Sequence, residues 1–424
     1  MPDILPDPAL VSTRGLMDHR RMTVSADTVL DLTDRAVVAD PYPHFARLRE
    51  VAPVVHHEGL GLALATSRAA CDAVLRDRRL GRIFVPRQPE QDWDTFNWLH
   101  SDSILDSEPP KQTRLRRLVA SAFGRGHVQR LGPRIEQLAG GLLDDAEEAL
   151  ARDGQVDVLA AYAEPLPVLV IAELLGFPEA DRHLLRPWSQ AIVKMYEVER
   201  TPGAELAAQR AAAEFAAYVQ ALADDRARHP GTDLLSDLVA ARDGSDRLSP
   251  HELVATAVLL LNAGHEASVN GFGNGLASLL AAPDELTAVL GRLEDDAAVT
   301  AVVEEMLRHD SPLQLFERTA TEDVEVSGVR IGRGDKVAAL LGAANRDPGV
   351  FAEPDRFRAD RDPNPHLAFG AGIHFCLGAP LARLELQVST RALLRRFGRL
   401  QVVDSARRPT FVLRGYEHLT VAPA

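Results

Sequence analysis

Phe369-Gly370-Ala371-Gly372-Ile373-His374-Phe375-Cys376-Leu377-Gly378 stands immediately before a helical run over residues 379–397. A cysteine is therefore placed where a glycine-rich loop turns into a helix. The helix N-terminus favours an anion, and loop amides turned toward the sulfur act in the same sense, so the position predicts a Cys376 thiolate able to ligate a soft metal. Gly370, Gly372 and Gly378 let backbone come close to the sulfur and to a flat ligand, with Phe369 packed on the ligand face. A lone cysteine is ordinarily a small buried hydrophobe. The glycine frame sets Cys376 apart, whereas Cys71, in a helical stretch without such a frame, reads as structural.

Upstream, Ser249-Pro250-His251-Glu252 is a capping box with proline at the first helical position. The helix it opens runs until Pro283 stops it, which is about 30 residues or about 45 Å. Within it, Ala263, Gly264, Ala267, Ser268 and Gly271 leave one side almost without side-chain volume. Two readings fit that face: a flat, bulky ligand lying against it, or the close approach of another helix. His265-Glu266 lacks the second histidine of a zinc-protease motif, since position 269 is Val269. Gly271-Phe272-Gly273-Asn274-Gly275 lies inside the helix, without a preceding strand and with Leu276 where a dinucleotide loop needs its last glycine.

The rest of the 424 residues agrees with a mainly α protein carrying a small β subdomain. Residues 112–123 and 204–227 show helical spacing, the latter Ala-rich and read as a surface helix. Alternating segments at 51–65 and 324–341, broken by glycines, predict strands. Hydrophobic residues make up 46% and charged residues 25%, enough for a large core. With 47 basic and 61 acidic residues the net charge is −14, which argues against general nucleic-acid binding. The two cysteines form no framework, so a reducing cytoplasm is expected. Neither a signal peptide nor an apolar run of the ~18 residues needed to cross a membrane is found.

At the Cys376 loop the sequence resembles the cytochrome P450 superfamily. Its Phe-Gly-x-Gly-x-His-x-Cys-x-Gly signature is matched at Phe369, Gly370, Gly372, His374, Cys376 and Gly378. Glu305-Met306-Leu307-Arg308 matches the family's Glu-x-x-Arg, and Phe351 to Phe357 matches the segment bearing a further arginine, Arg356. The resemblance implies that Glu305, Arg308 and Arg356 form a buried network behind the haem. It extends from about position 40 to Arg414-Gly415 and implies one haem domain over 1–424, with 1–25 as a flexible N-terminal segment. The implied fold sets the long central helix over the haem, opposite the cysteine-ligand loop.

The resemblance further implies haem b with the Cys376 thiolate as its axial ligand and metal site. Gln112, Arg116, Arg318 and His374 are the implied propionate partners, and Ala263 and Gly264 the residues beside the haem face. Ala263-Gly264-His265-Glu266-Ala267-Ser268 matches the oxygen-side motif, making Glu266, Ala267 and Ser268 the catalytic segment. The alcohol that usually follows the acid is here Ala267, whose methyl group cannot relay a proton. Ser268, a water chain or a substrate hydroxyl could replace it. Ser268, about 100° round the helix, should not point where residue 267 does.

The expected function is monooxygenation of a hydrophobic, secondary-metabolite-like molecule with substrate- or water-assisted proton delivery. Oxidative coupling or dehydrogenation, fatty-acid hydroxylation and non-catalytic ligand binding are the alternatives. Phe96, Trp98, Ile104, Ile192, Met195, Tyr196, Leu260, Leu313, Leu315 and Phe316 are the candidate pocket residues. Electrons are expected from NAD(P)H through a separate ferredoxin and ferredoxin reductase, with the chain a monomer. Lys111, Arg114, Arg117, Arg125, Arg395 and Arg396 would either steer that partner or form a solvated face.

Overall fold

The helix opened by Ser249 is the axis around which the other elements pack. In the computed structural model, which describes residues 26–120, 125–197, 200–241 and 246–424, with 125–127 as backbone alone, it spans Pro250–Leu280. Residues 1–25, expected to be a flexible segment, lie outside the described residues. The capping box is formed on both sides: the Glu252 amide donates to Ser249 Oγ at 3.2 Å and the Ser249 amide to Glu252 Oε2 at 2.9 Å. The helix ends three residues before Pro283, which occupies the first turn of the next helix, Pro283–Leu290. Proline there costs nothing, because its missing amide would have had no partner.

Helices Pro165–Leu175, Arg182–Val193, Pro202–Arg228, Asp296–His309 and Ala379–Phe397 pack around this axis. The glycines of its second half serve that packing: a Cβ on Gly273 would press on Leu159, and one on Gly275 on Met306. Close helix approach is thus the right reading for this half, Gly271 included, which faces Leu307, Pro312 and Leu386. The Ala-rich segment forms Pro202–Arg228 as expected, a surface helix with one face exposed and the other packed inward. Ala208, Ala211, Ala212, Phe215, Ala216, Val219 and Ala223 are buried, because small side chains let a helix sit close to its neighbours.

The β structure is larger than expected. A five-stranded sheet runs in the order Val54–His57, Leu62–Ala65, Lys336–Leu340, Leu315–Ala320, Leu80–Gly81, with only the second and third strands parallel. Val324–Val326 and Val329–Ile331 form a separate hairpin, turned at Ser327 and Gly328, both with positive φ. A further sheet of Val156–Asp157, Tyr416–Pro423 and Leu400–Arg407 has no counterpart in the sequence reading. Its strand Leu400–Arg407 is exposed along most of its length, so no alternation of apolar residues marked it.

Behind the cysteine loop lies a buried charge network. Glu305 and Arg308, both fully buried, form a two-pronged pair at 2.7 and 2.8 Å. The arginine that completes it is Arg361, whose Nε lies 3.2 and 3.1 Å from the two Glu305 oxygens. Arg356, expected in that role, points outward with its side chain 62% exposed and only Glu353 nearby. Its contribution is its carbonyl, which accepts from Arg308 and Arg361. The chain turns at Glu353–Arg356 and again at Arg358–Arg361, so that the later arginine folds inward, a reversal that linear spacing does not reveal.

Candidate haem site

The cysteine loop is built by its glycines. Gly370 and Gly372 have φ of 69° and 72°, and a Cβ on Gly372 would run into the Leu75 carbonyl oxygen. The loop closes through Cys376 N to Phe369 O at 3.0 Å and Phe375 N to Gly372 O at 3.1 Å. A Cβ on Gly378 would stand 4.0 Å from Cys376 Sγ, so glycine keeps that flank of the sulfur open. Cys376 is exposed, unlike Cys71, which is sealed in the core. Protein around the thiol raises its pKa, against the amides of Gly378 and Ala379 and the charge of Arg116. The loop amides and Arg116 thus act toward the thiolate, and burial acts against it.

The central helix opens at the same level of the motif. Most of its residues are buried, yet Ala263 is exposed and Leu259, Leu260, Gly264 and Ala267 are partly so. These positions share one face at four-residue steps, leaving a flat strip in mid-helix.

Gln112 and Arg116, on the helix Lys111–Ala120, brace the loop. Gln112 Nε2 donates to the Ile373 carbonyl at 2.9 Å, and Arg116 donates to the Phe375 carbonyl at 2.9 Å. His374 Nε2 meets Glu108 Oε1 at 2.8 Å, and the same carboxylate oxygen accepts the Arg82 amide. Burial raises the Glu108 carboxyl, but these bonds hold it below its ordinary value. Gln112 and His374 therefore already have protein partners, which their expected propionate role did not include. Arg318 differs. It is 2% exposed, its Nη1 donates to the Glu317 carbonyl at 2.9 Å while its Nε has no partner, and burial with nearby Arg82 pulls its pKa to about 9. A buried guanidinium without a bonded carboxylate is costly, so this residue is fitted to an incoming anion such as a propionate.

The residues around position 267 are committed elsewhere. Glu266 Oε2 accepts from Arg408 at 2.7 Å, Arg408 reaches Glu164 at 3.2 Å, and Glu164 pairs with Arg186. Ser268 hydrogen-bonds the Glu385 side chain, a fully enclosed carboxyl whose pKa burial pushes up to about 8. The Ser268 hydroxyl thus turns away from the open strip, as the helix geometry predicted.

A cytochrome P450 family model matches residues 204–413. The cytochrome P450 monooxygenase PikC of Streptomyces venezuelae is 40% identical over 381 residues, covering 88% of each chain. The 6-deoxyerythronolide B hydroxylase of Saccharopolyspora erythraea is also 40% identical, over 93% of this chain and 98% of its own. The chain belongs to the cytochrome P450 family. Among solved structures, P450BioI in complex with hexadec-9Z-enoic acid ligated acyl carrier protein superposes with a TM-score of 0.86 at 34% identity, covering 92% of this chain and 99% of its own. The Bacillus subtilis P450 PksS gives 0.83 at 35%, covering 93% and 99%. Members of this family bind haem through a cysteine thiolate and act as monooxygenases.

The candidate pocket residues of this P450 divide. Phe96, Ile104, Ile192 and Met195 are buried in the main core. Phe96 stacks on His100 at 4.0 Å and meets Trp93 edge-on at 5.2 Å. Trp98 stacks on the exposed His251 at 4.3 Å, and Tyr196 Oη lies 3.2 Å from His100 Nε2. Leu313 bridges to Leu413, and Phe316 covers Gly370. Leu315 is corrected: successive strand residues face opposite ways, so it packs with Phe45 and Leu64 on the other side of the sheet from Phe316. Leu260 keeps its place on the open strip.

The expected cationic face is largely neutralised. Lys111 pairs with Asp102, Arg114 with Glu252, Arg395 with Glu294, and Arg396 with Asp144 and Glu147. The Arg125 side chain lies outside the described residues. No helix among the described residues is long and apolar enough to cross a membrane. The sequence missed His100, Glu108, Arg361, Glu385 and Arg408, whose roles come from partners far away in the chain.

Proposed function

We propose that this P450 hydroxylates an apolar small molecule bearing a hydroxyl or carbonyl near the reacting carbon, of the polyketide or macrolactone type. Cys376 would be the axial haem ligand, with Arg318, Arg116 and His374 around the propionates and Ala263 and Gly264 along the haem face. Bound there, the haem supplies dioxygen activation with electrons from NAD(P)H, delivered through a separate ferredoxin and its reductase. Cys376 holds the group, Gly378 leaves the sulfur accessible, and Arg318 neutralises a propionate.

The observation that carries the substrate reading is the lack of any hydroxyl at position 267, with Ser268 turned to Glu385 and Glu266 paired to Arg408. A proton relay on that strip then needs a hydroxyl from the substrate or an ordered water. The relatives whose names specify 6-deoxyerythronolide B hydroxylation and polyketide biosynthesis support the same class. A fatty-acyl substrate is the second reading, favoured by the acyl-carrier complex of P450BioI.

The test is a visible-spectrum titration of the ferric protein with hydroxylated polyketides, their deoxy analogues and fatty acids, followed by turnover. Hydroxylated compounds should shift the spin state and turn over with reducing equivalents matched to product, whereas deoxy analogues bind but release peroxide. Equal coupling on deoxy compounds or fatty acids would remove the substrate hydroxyl from the mechanism.

A further inference from the structure

Along the central helix, Glu266, Asn270, Asn274 and Ser278 recur at four-residue intervals, the first three of them buried. Each step advances about 6 Å and turns about 40°, so the four form one slowly winding polar stripe. One end is the Glu266 carboxylate held by Arg408. At the other, Ser278 lines a cleft of about 620 Å³ together with Asp310, Arg407, Arg414 and Tyr416. Asn274 lies just beneath that cleft. Its Oδ1 accepts from Arg407 at 2.7 Å, and its Nδ2 donates to the Arg414 carbonyl at 2.9 Å and the Asp310 carbonyl at 3.3 Å.

Between the two ends stands Asn270, 1% exposed, with neither Oδ1 nor Nδ2 bonded to protein. A buried amide with both ends unpaired is rare, and the ordinary remedy is ordered water. The backbone beside it belongs to the same C-terminal hairpin that carries Arg407 and Arg408: a Cβ on Gly415 would run into Asn270 Oδ1, and the Arg408 amide donates to the Gly415 carbonyl at 3.1 Å. Two neighbouring helix residues, Asn262 and His265, also carry unpartnered buried atoms, Oδ1 and Nε2.

We propose that Glu266, Asn270 and Asn274 line a hydrated conduit carrying water and protons between the C-terminal cleft and Glu266, with Asn270 the positioning residue at its midpoint. The gap of about 6 Å between successive polar side chains is one that one or two waters span. A proton entering at the cleft passes along the file to the Glu266 carboxylate, each water giving one proton and accepting one, so no charge accumulates on Asn270. Arg407, bonded to both Asn274 and Asp310, stands where the file meets solvent. The inference rests on the ordered-water form of proton delivery proposed above, with Glu266 as the carboxylate that the water file reaches.

The test uses the full-length, haem-loaded protein as wild type, Asn270→Leu, Asn270→Ser and Asn274→Leu. A high-resolution crystal structure of the wild type should show ordered waters bonded to Asn270. Asn270→Leu should lower product formed per NAD(P)H by roughly an order of magnitude, less than the ~100-fold that a group transferring the proton itself contributes because Asn270 only positions water, and change the solvent deuterium isotope effect. The spin-state titration should stay unchanged, and Asn270→Ser should restore most of the coupling. A dry Asn270, or wild-type coupling and isotope effect in Asn270→Leu, would overturn the conduit. Should Asn270→Leu fail to fold, Asn274→Leu and the water positions decide. A hydrated stripe in a protein whose coupling ignores Glu266→Gln would instead overturn the role of Glu266.

Discussion

At position 267 one methyl group replaces a hydroxyl, and the consequence depends on what the flanking side chains do. Ser268 and Glu266 are neighbours in sequence, yet the helix sends the first to Glu385 and the second to Arg408. Ala267→Thr should therefore leave coupling on hydroxylated substrates nearly unchanged while raising it on deoxy analogues, by up to the ~100-fold that a positioned proton-transfer group contributes. Product per reducing equivalent on the two substrate types is the measurement. The motif around Cys376 was fully legible in the sequence, because its glycines answer to strict local geometry: Gly372 cannot carry a side chain beside Leu75. Glu385 and Arg408 were illegible, since nothing local to either residue predicts a partner more than a hundred positions away.

At the level of elements, the central helix was readable from its capping box and stop signal, and the structure places both ends within three residues of expectation. The network under the cysteine loop was readable in its helical half only. Glu305 and Arg308 share a helix and so a fixed spacing, whereas Arg361 arrives from an irregular segment after Arg356. Arg308 still pairs with Glu305 when Arg361 is removed, but the Ala352 and Glu353 carbonyls lose their Arg361 donor inside the protein, so Arg361→Ala should cost about 2–3 kcal/mol of stability. Arg356→Ala, which removes an exposed side chain, should leave the denaturant midpoint almost where it was. Equal losses from the two would reinstate Arg356 in the network. The C-terminal sheet escaped sequence reading because Leu400–Arg407 is exposed and so lacks the alternation that marks a half-buried strand.

Over the whole molecule, a half-buried carboxyl, Glu304, and a buried one, Glu385, pull stability in opposite directions with pH. Burial raises Glu304, but His366 and Arg383 outweigh it and bring the carboxyl down to about 2. Its contribution is present above the ordinary 4.5 and is lost as pH falls through about 2. Glu385 is pushed by burial to about 8, so between 4.5 and 8 the native chain keeps a proton that the unfolded chain gives up, and stability declines as pH rises through that window. Glu385→Gln should flatten the decline from pH 5 to 8 in denaturant titrations, leaving the acid limb unchanged. His100, His265, His309 and His374, held by burial below the ordinary 6.5, add stability as pH rises toward that value, so the difference between the two profiles is the test: a Glu385→Gln profile parallel to wild type from pH 5 to 8 would contradict the buried neutral carboxyl.

The overall architecture, an open sulfur in a glycine loop and an open strip on a buried helix, has one central claim: Cys376 binds haem iron as a thiolate. The ferrous carbon monoxide spectrum of the haem-loaded chain tests it most directly. The wild type should show the strongly red-shifted band of a thiolate-ligated haem, with Cys71→Ser keeping it and Cys376→Ser losing it. A band at the position given by histidine-ligated haem, or one that survives in Cys376→Ser, would contradict the account.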